Sequence, residues 1–314
     1  MKLIITIPAF NEEANIAEVI REIPRQIFGI KKVEVLVLDD GSIDNTASIA
    51  KEAGADYVIS HKKNKGLAIT FKDAVTAALW FGADIIVNTD ADNHYDQTRI
   101  PDLIAPILKN KADIVIANRC VRDLDFMPKF NKYGNMFGNY IVYKVVDLPR
   151  KYDVSSGFRA YTKEAAMKIN ILSKHTYTHE SVIQALDHDM LIAEVPIRAR
   201  KVNRKSRLIK SIPSHIVKSL MVITRTFTIY KPLRVMSIMG SILFGAGLLF
   251  VIRFLYYYLI GNGTGHIQSL ILAGALMMIG FQVLVIGLLG SAIGWNRKLL
   301  EEILYKIKRM EFRK

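Results

Sequence analysis

Short Val/Ile-rich runs punctuate the first two hundred residues, and two much longer apolar runs follow them. The short runs at Lys2–Ile7, Val33–Leu38, Asp56–Ile59, Asp84–Asn88 and Asp113–Ala117 predict five buried strands. Between them, 3.6-residue spacing predicts helices over Glu12–Ile23, Asp44–Ala53, Leu67–Phe81 and Ile100–Leu108, the first with acidic residues in its opening turn. A strand–helix alternation of this kind predicts an α/β fold with a doubly wound, mainly parallel sheet. Ligands of such sheets bind at the carboxyl ends of strands. Three polar clusters stand there: the residues after Ile7, the Asp39-Asp40-Gly41-Ser42 run and Thr89-Asp90-Ala91-Asp92.

The long runs are Val235–Ile260, broken by Arg253, and Ile267–Ile293, broken by two glutamines and two serines. A bilayer-spanning helix needs roughly 20 apolar residues, and both runs reach that length. Glycines 240, 245, 247, 274, 280, 287 and 290 suit close packing of two helices in lipid. The short uncharged turn Gly261–His266 makes the pair a hairpin. Lys231 and Arg234 precede it, while Arg297, Lys298, Lys306, Lys308, Arg309, Arg313 and Lys314 follow. The positive-inside rule then places both termini in the cytosol and the turn outside, a cell-membrane protein with two spans. Met1–Pro8 is too short for a signal peptide. Upstream of the hairpin, Ile212, Ile216, Leu220, Ile223 and Phe227 form an apolar stripe, which predicts an amphipathic helix on the membrane surface.

Charge and composition narrow the chemistry. Across 314 residues there are 43 Lys+Arg against 29 Asp+Glu, a net charge of +14 that calls for an anionic partner. From Val195 to Leu300 there is no acidic residue, so the excess gathers beside the spans and not in an aromatic-interleaved patch, which argues against nucleic acid. A lone Cys120 excludes a disulfide framework and a multi-cysteine metal site. Neither a P-loop nor a Gly-x-Gly-x-x-Gly turn is present. Asp90 and Asp92 are close enough to repel, and a divalent cation would stabilise both ionised forms. Mg²⁺ is commonly held by one or two carboxylates plus substrate phosphates. His94, two residues on, is a candidate third ligand and would favour Mn²⁺.

Thr6-Ile7-Pro8-Ala9-Phe10-Asn11-Glu12-Glu13, Asp39-Asp40-Gly41-Ser42, Asn64-Lys65-Gly66, Asp90-Ala91-Asp92, Asp153-Val154-Ser155-Ser156-Gly157-Phe158-Arg159 and Glu194-Val195-Pro196-Ile197 follow in order. Together they resemble the GT-A glycosyltransferases of family 2. Gly287-Leu288-Leu289-Gly290 in the second span looks like the branch that glycosylates polyprenyl phosphates, including dolichyl-phosphate mannose synthases and two-span glucosyltransferases. The resemblance implies a GT-A catalytic domain over 1–208, an interfacial helix over 209–232, spans at 233–260 and 267–294, and a basic cytosolic tail over 295–314.

It also implies roles. Pro8, Ala9, Asn11 and Glu12 would line the nucleotide pocket, with Asp39 or Asp40 on base or ribose and Lys65 on donor phosphate. Asp90 and Asp92 would be the metal motif, with Mg²⁺ or Mn²⁺ as cofactor and His94 beside them. Arg119 would meet phosphate, and Asp153 or Glu180 would orient the sugar or take a proton. Arg200, Lys201, Ser206 and Arg207 would receive the acceptor phosphate, although the family's glycine is missing from this loop. The implied reaction is inverting transfer of a hexose from a nucleotide-sugar to polyprenyl (dolichyl) phosphate at the bilayer, with self-association through the spans left open. Extension of a lipid-linked oligosaccharide fits the donor half equally; a non-catalytic nucleotide-sugar-binding scaffold is the other alternative, and the intact Asp90 and Asp92 argue against it. A processive polysaccharide synthase does not fit, because Gln-x-x-Arg-Trp is absent.

Overall fold

The computed structural model describes residues 1–120, 152–172, 177–197, 199–200, 232–261 and 264–312, with isolated positions 143 and 228. They fall into two compact units, Met1–Leu220 with Glu302–Lys314, and Met221–Glu301.

The first unit is built on a seven-stranded sheet. Its strands are β1 (Lys2–Ala9), β2 (Lys32–Asp39), β3 (Tyr57–Ser60), β4 (Ile85–Asn88), β5 (Ile114–Asn118), β6 (Arg159–Thr162) and β7 (Ile192–Pro196). Seven of the eight residues in each of β1 and β2 are buried. That is the mark of strands covered on both faces, and it explains why they read as solid apolar runs. The helices are α1 (Ile16–Glu22), α2 (Thr46–Glu52), α3 (Leu67–Trp80), α4 (Ile100–Leu108), α5 (Lys163–Lys168) and α6 (Thr178–Asp187). One face of the sheet carries a core in which Ile5, Ile7, Val35 and Val87 meet Ile16, Val19 and Ile20 of α1 and Leu103 and Ile104 of α4.

The strand order is β3-β2-β1-β4-β6-β5-β7. The chain runs outward from β1 through β2 and β3, then returns to β4 on the other side of β1. This reversal opens a crevice at the carboxyl ends of β1 and β4. Four of the six strand pairings are parallel, and the other two are those of β6, which is antiparallel to both β4 and β5. The predicted five strands are all present, so the sheet is mainly parallel as expected. β6 and β7 have no counterpart among the five runs that predict strands.

The second unit is a helical hairpin of α7 (Pro232–Leu259) and α8 (Ile267–Glu311). Both are long and apolar enough to cross a bilayer, with mean hydropathy of 2.3 and 2.4 over their most apolar stretches. Most of their large side chains face outward, among them Ile242, Leu249, Ile271 and Leu288. Beyond Pro232, the buried positions are small: Gly240 and Gly247 on α7, Ala273, Gly280 and Gly287 on α8. They recur every seven residues, two turns apart, so they share one stripe. A Cβ on Gly240 would lie 2.8 Å from the Gly280 carbonyl oxygen, and one on Gly280 would lie 2.7 Å from the Phe244 nitrogen. Backbone therefore meets backbone along this seam, the close approach that small residues permit in lipid.

The expected end of the second span at 294 is not the end of its helix, which continues unbroken to Glu311. No glycine or proline follows Gly294 to stop it, and the pairs Arg297–Glu301 and Glu302–Lys306 support it at i,i+4 spacing. Its last turns belong to the first unit. There Lys308 donates to the Met167 carbonyl and Asn170 Oδ1, and Phe312 packs edge-on against Trp80. The expected interfacial helix over 209–232 lies, apart from positions 228 and 232, outside the described residues.

Candidate functional site

Three loops meet over the β1/β4 crevice. The β1 loop is joined to the β2 loop through side chains. Asn11, at φ 54°, donates its N–H to Ser42 Oγ at 2.8 Å, and its Oδ1 accepts from the Ile43 N–H at 2.9 Å. The Glu12 N–H donates to Thr46 Oγ1 at 2.8 Å, while Asp39 Oδ1 accepts from the Ser42 N–H. Pro8 and Ala9 end the strand beneath them, in register with Leu38 and Asp39. Gly41 has φ +73°, and a Cβ there would lie 2.7 Å from the Lys63 carbonyl carbon, so only glycine lets these loops approach.

Asp40 holds the third loop. Its two carboxylate oxygens accept from the Lys65 and Gly66 N–H groups at 2.9 Å each, and His61 Nδ1 lies 2.8 Å from Oδ1. His61 Nε2 in turn lies 3.0 Å from Asp73, which also pairs with Lys65 Nζ at 3.2 Å. The structure thus brings Asp40 and Lys65 together as a loop clamp completed by His61 and Asp73. Neither of those two was singled out from the sequence, because their role depends on the return of α3 to the β2 end.

Asp90 and Asp92 follow β4. The Asp92 carboxylate accepts from the His94 N–H at 3.2 Å. Asp90 faces the Ser156–Phe158 loop, where a Cβ on Gly157 would sit 2.8 and 2.9 Å from its two carboxylate oxygens. Burial, and then the charge of Asp92, push the Asp90 carboxyl up to about 7, against the opposing pull of Arg119 and Arg159. A carboxylate pair in this state fits a hard divalent cation, which would neutralise both groups while substrate phosphates fill the remaining positions. Among the described residues no three His, Cys, Asp or Glu side chains converge in metal-binding geometry. His94 stands next to the pair; its ring packs edge-on against Tyr95, and burial lowers its pKa.

The Ser156–Phe158 loop is held from below. Asn88 donates to the Gly157 carbonyl at 3.0 Å and to Tyr177 Oη at 2.8 Å, and the Gly157 N–H donates to Tyr95 Oη at 3.1 Å. Arg159, fully buried, donates to the Ser156, Val154 and Thr178 carbonyls and to Ser181 Oγ. Beside it, Arg119 grips Asp153 through Nε at 2.7 Å and Nη2 at 2.8 Å, with Nη2 also 2.6 Å from Ser155 Oγ. Burial raises the Asp153 carboxyl, but the Arg119 hydrogen bonds and charge outweigh it and leave the pKa lowered. Glu194 of β7 accepts from the Asp153 N–H at 2.7 Å. Asp153 is thus paired and ionised, while Glu180 lies elsewhere, 5% exposed and accepting from the Leu172 N–H.

Arg200 is placed against the turn that follows Asp92, paired with Glu22 and Asp96. Lys201, Ser206 and Arg207 lie outside the described residues.

Comparison with known proteins identifies the family and the fold. A model of glycosyl transferase family 2 matches residues 4–169. The UDP-N-acetylglucosamine–dolichyl-phosphate N-acetylglucosaminyltransferase of Methanococcus voltae is 30% identical over 218 residues, covering 61% of this chain and 83% of that protein. A dolichyl-phosphate hexose transferase of Haloferax volcanii is 27% identical, covering 66% of this chain and 86% of that one. Among solved structures, the glucosyl-3-phosphoglycerate synthase of Mycobacterium tuberculosis, crystallised with Mn²⁺ and UDP-glucose, superposes with a TM-score of 0.55 at 22% identity. It covers 71% of this chain and 79% of that one, and shares the fold. By its crevice, its ordered motifs and the matched half of its length, the chain belongs to glycosyl transferase family 2.

Proposed function

We propose that this glycosyltransferase moves a hexose from a nucleotide-sugar to a polyprenyl phosphate, with inversion at the anomeric carbon. One observation carries the reading: a strand-end crevice with paired carboxylates Asp90 and Asp92 shares its chain with two helices long enough to span a bilayer. A polyprenyl acceptor is held in a bilayer, and such helices would keep the enzyme at that bilayer. Relatives named as dolichyl-phosphate transferases support the same choice.

The acceptor phosphate is already an anionic oxygen nucleophile at neutral pH, so the site needs no strong general base. Its oxygen attacks the anomeric carbon as the bond to the donor diphosphate breaks, and the diphosphate leaves as the anion. A divalent cation held by Asp90 and Asp92 would supply charge neutralisation at that leaving group. The β1 and β2 loops, joined through Asn11, Glu12, Ser42 and Thr46, would hold the nucleoside. The Asp40 clamp fixes the backbone of Lys65 and Gly66 where a donor phosphate passes. Arg119 meets phosphate as a member of an ion pair, its fork oriented by Asp153 and Ser155. Lys201, Ser206 and Arg207 would receive the acceptor phosphate.

The test is to incubate membranes carrying the full chain with labelled nucleotide-sugars and polyprenyl phosphate, then identify the lipid product. A mild-acid-labile sugar–phosphate–lipid, lost in EDTA, is expected. Label appearing only on a lipid-linked oligosaccharide would overturn the acceptor assignment. No transfer by any sugar would overturn the catalytic one.

A further inference from the structure

Arg200 comes late in the domain, yet it reaches both the turn that follows Asp92 and the end of α1. Its backbone N–H donates to the His94 carbonyl at 2.8 Å. Its Nη1 donates to Asn93 Oδ1 at 3.2 Å and to Glu22 Oε2 at 2.8 Å. Its Nη2 reaches Glu22 Oε1 at 2.5 Å and Asp96 Oδ1 at 3.0 Å. One guanidinium therefore bridges the end of α1 to both sides of the turn.

The turn needs such a brace. Asn93 sits at φ 58°, in the left-handed region that costs a non-glycine residue energy unless its surroundings hold it there. The His94 peptide groups are fixed on both sides: the N–H donates to the Asp92 carboxylate and the carbonyl accepts from Arg200. Asp96 continues the device, since its Oδ1 also accepts from the Thr98 N–H and so starts the 3₁₀ turn at Gln97–Arg99. Without the Arg200 charge, Glu22 and Asp96 would repel across the turn, and the Gln97 N–H to Glu22 Oε2 hydrogen bond at 3.3 Å would be left to hold it against α1.

We propose that Arg200 is a positioning residue for the metal site and not an acceptor-phosphate ligand: it latches the Asn93–Asp96 turn onto α1 and so sets the aim of the Asp92 carboxylate. The proposal rests on the metal role of Asp90 and Asp92. The latch is partly solvent-exposed, with side-chain exposures of 35% for Arg200, 21% for Glu22 and 33% for Asp96. Ion pairs this open add little to global stability, so loss of the latch separates metal affinity from folding. Partners that orient a metal ligand typically cost about 10- to 100-fold in metal affinity when removed.

The experiment measures Mn²⁺ binding to the full chain in detergent, by calorimetry and by the electron-spin signal of free Mn²⁺, with UDP and with GDP. Arg200→Ala is expected to weaken Mn²⁺ binding by about 10-fold or more with melting temperature nearly unchanged. Glu22→Gln should move it in the same direction, and Arg200→Lys should recover part of the loss. In turnover, the Mn²⁺ concentration for half activation should rise while the KM for a short prenyl phosphate stays put. A folded Arg200→Ala protein with wild-type Mn²⁺ affinity and a ten-fold higher prenyl phosphate KM would overturn the proposal and return Arg200 to the acceptor. Absence of Mn²⁺ binding in the wild-type chain with either diphosphate would overturn the metal reading itself, and the latch with it.

Discussion

Replacing Gly157 by alanine places a methyl group where the structure has none to spare. The new Cβ would stand 2.8 and 2.9 Å from the two Asp90 oxygens and 3.1 Å from Tyr177 Oη. Gly157 does not adopt the left-handed backbone, so the perturbation is steric and its target is known. The loop has little freedom to retreat: Asn88 and Tyr95 hold its carbonyl and N–H, and Arg159 holds the carbonyl of Ser156. Asp90 must therefore turn away. Overpacking of this kind typically costs about 1–3 kcal/mol. If that cost falls on the metal-bound arrangement, turnover drops by about 5- to 150-fold. Steady-state turnover at saturating Mn²⁺, with Mn²⁺ affinity and melting temperature on the same samples, reads the partition. Gly265→Ala is the control, since a Cβ there has nothing within 4 Å. Wild-type turnover and Mn²⁺ affinity in Gly157→Ala would refute the placement of Asp90 against this loop.

Three further outcomes are expected. Asp90 keeps a pKa of about 7 in the fold against an ordinary 3.8; between those values the unfolded chain has lost a proton that the folded one retains. Stability of the metal-free protein therefore falls as pH rises through that window and levels off above it. Melting in EDTA across pH 5–8 should show this decline, and Asp90→Asn should abolish it; an unaltered profile in that variant would assign the proton elsewhere. Arg159→Met strands the carbonyls of Val154 and Ser156, while that of Thr178 keeps Ser181 Oγ, and at about 1–3 kcal/mol for each unpaired buried group the loss should reach about 2 kcal/mol or more in denaturant melts. Finally, Gly265→Cys in a Cys120→Ala background should react with an impermeant thiol reagent from the outer side of the membrane, and labelling solely from the cytosolic side would invert the topology.

Local pattern was enough for much of this protein. Solid apolar runs marked β1, β2, β4 and β5, because strands covered on both faces have no polar side to show. The polar clusters after β1, β2 and β4 were visible as interruptions of those runs, and a parallel sheet sends them all to one edge. The hairpin was visible too, since two apolar runs of bilayer length need no tertiary partner to be recognised.

What the chain alone left open are the pairings made across long stretches of sequence. β6 is four residues long and antiparallel, and it reads as a motif until β4 and β5 close around it. Asp40 stands in the sequence as a candidate donor contact, and the sheet returns the Lys65 and Gly66 N–H groups to its two oxygens. Arg119 and Asp153 are 34 positions apart, and Arg200 and Glu22 are 178 apart. A charged residue in a sequence carries only the capacity to pair. The strand order decides which opposite charge or which substrate phosphate it meets, because it alone determines which loops share the crevice.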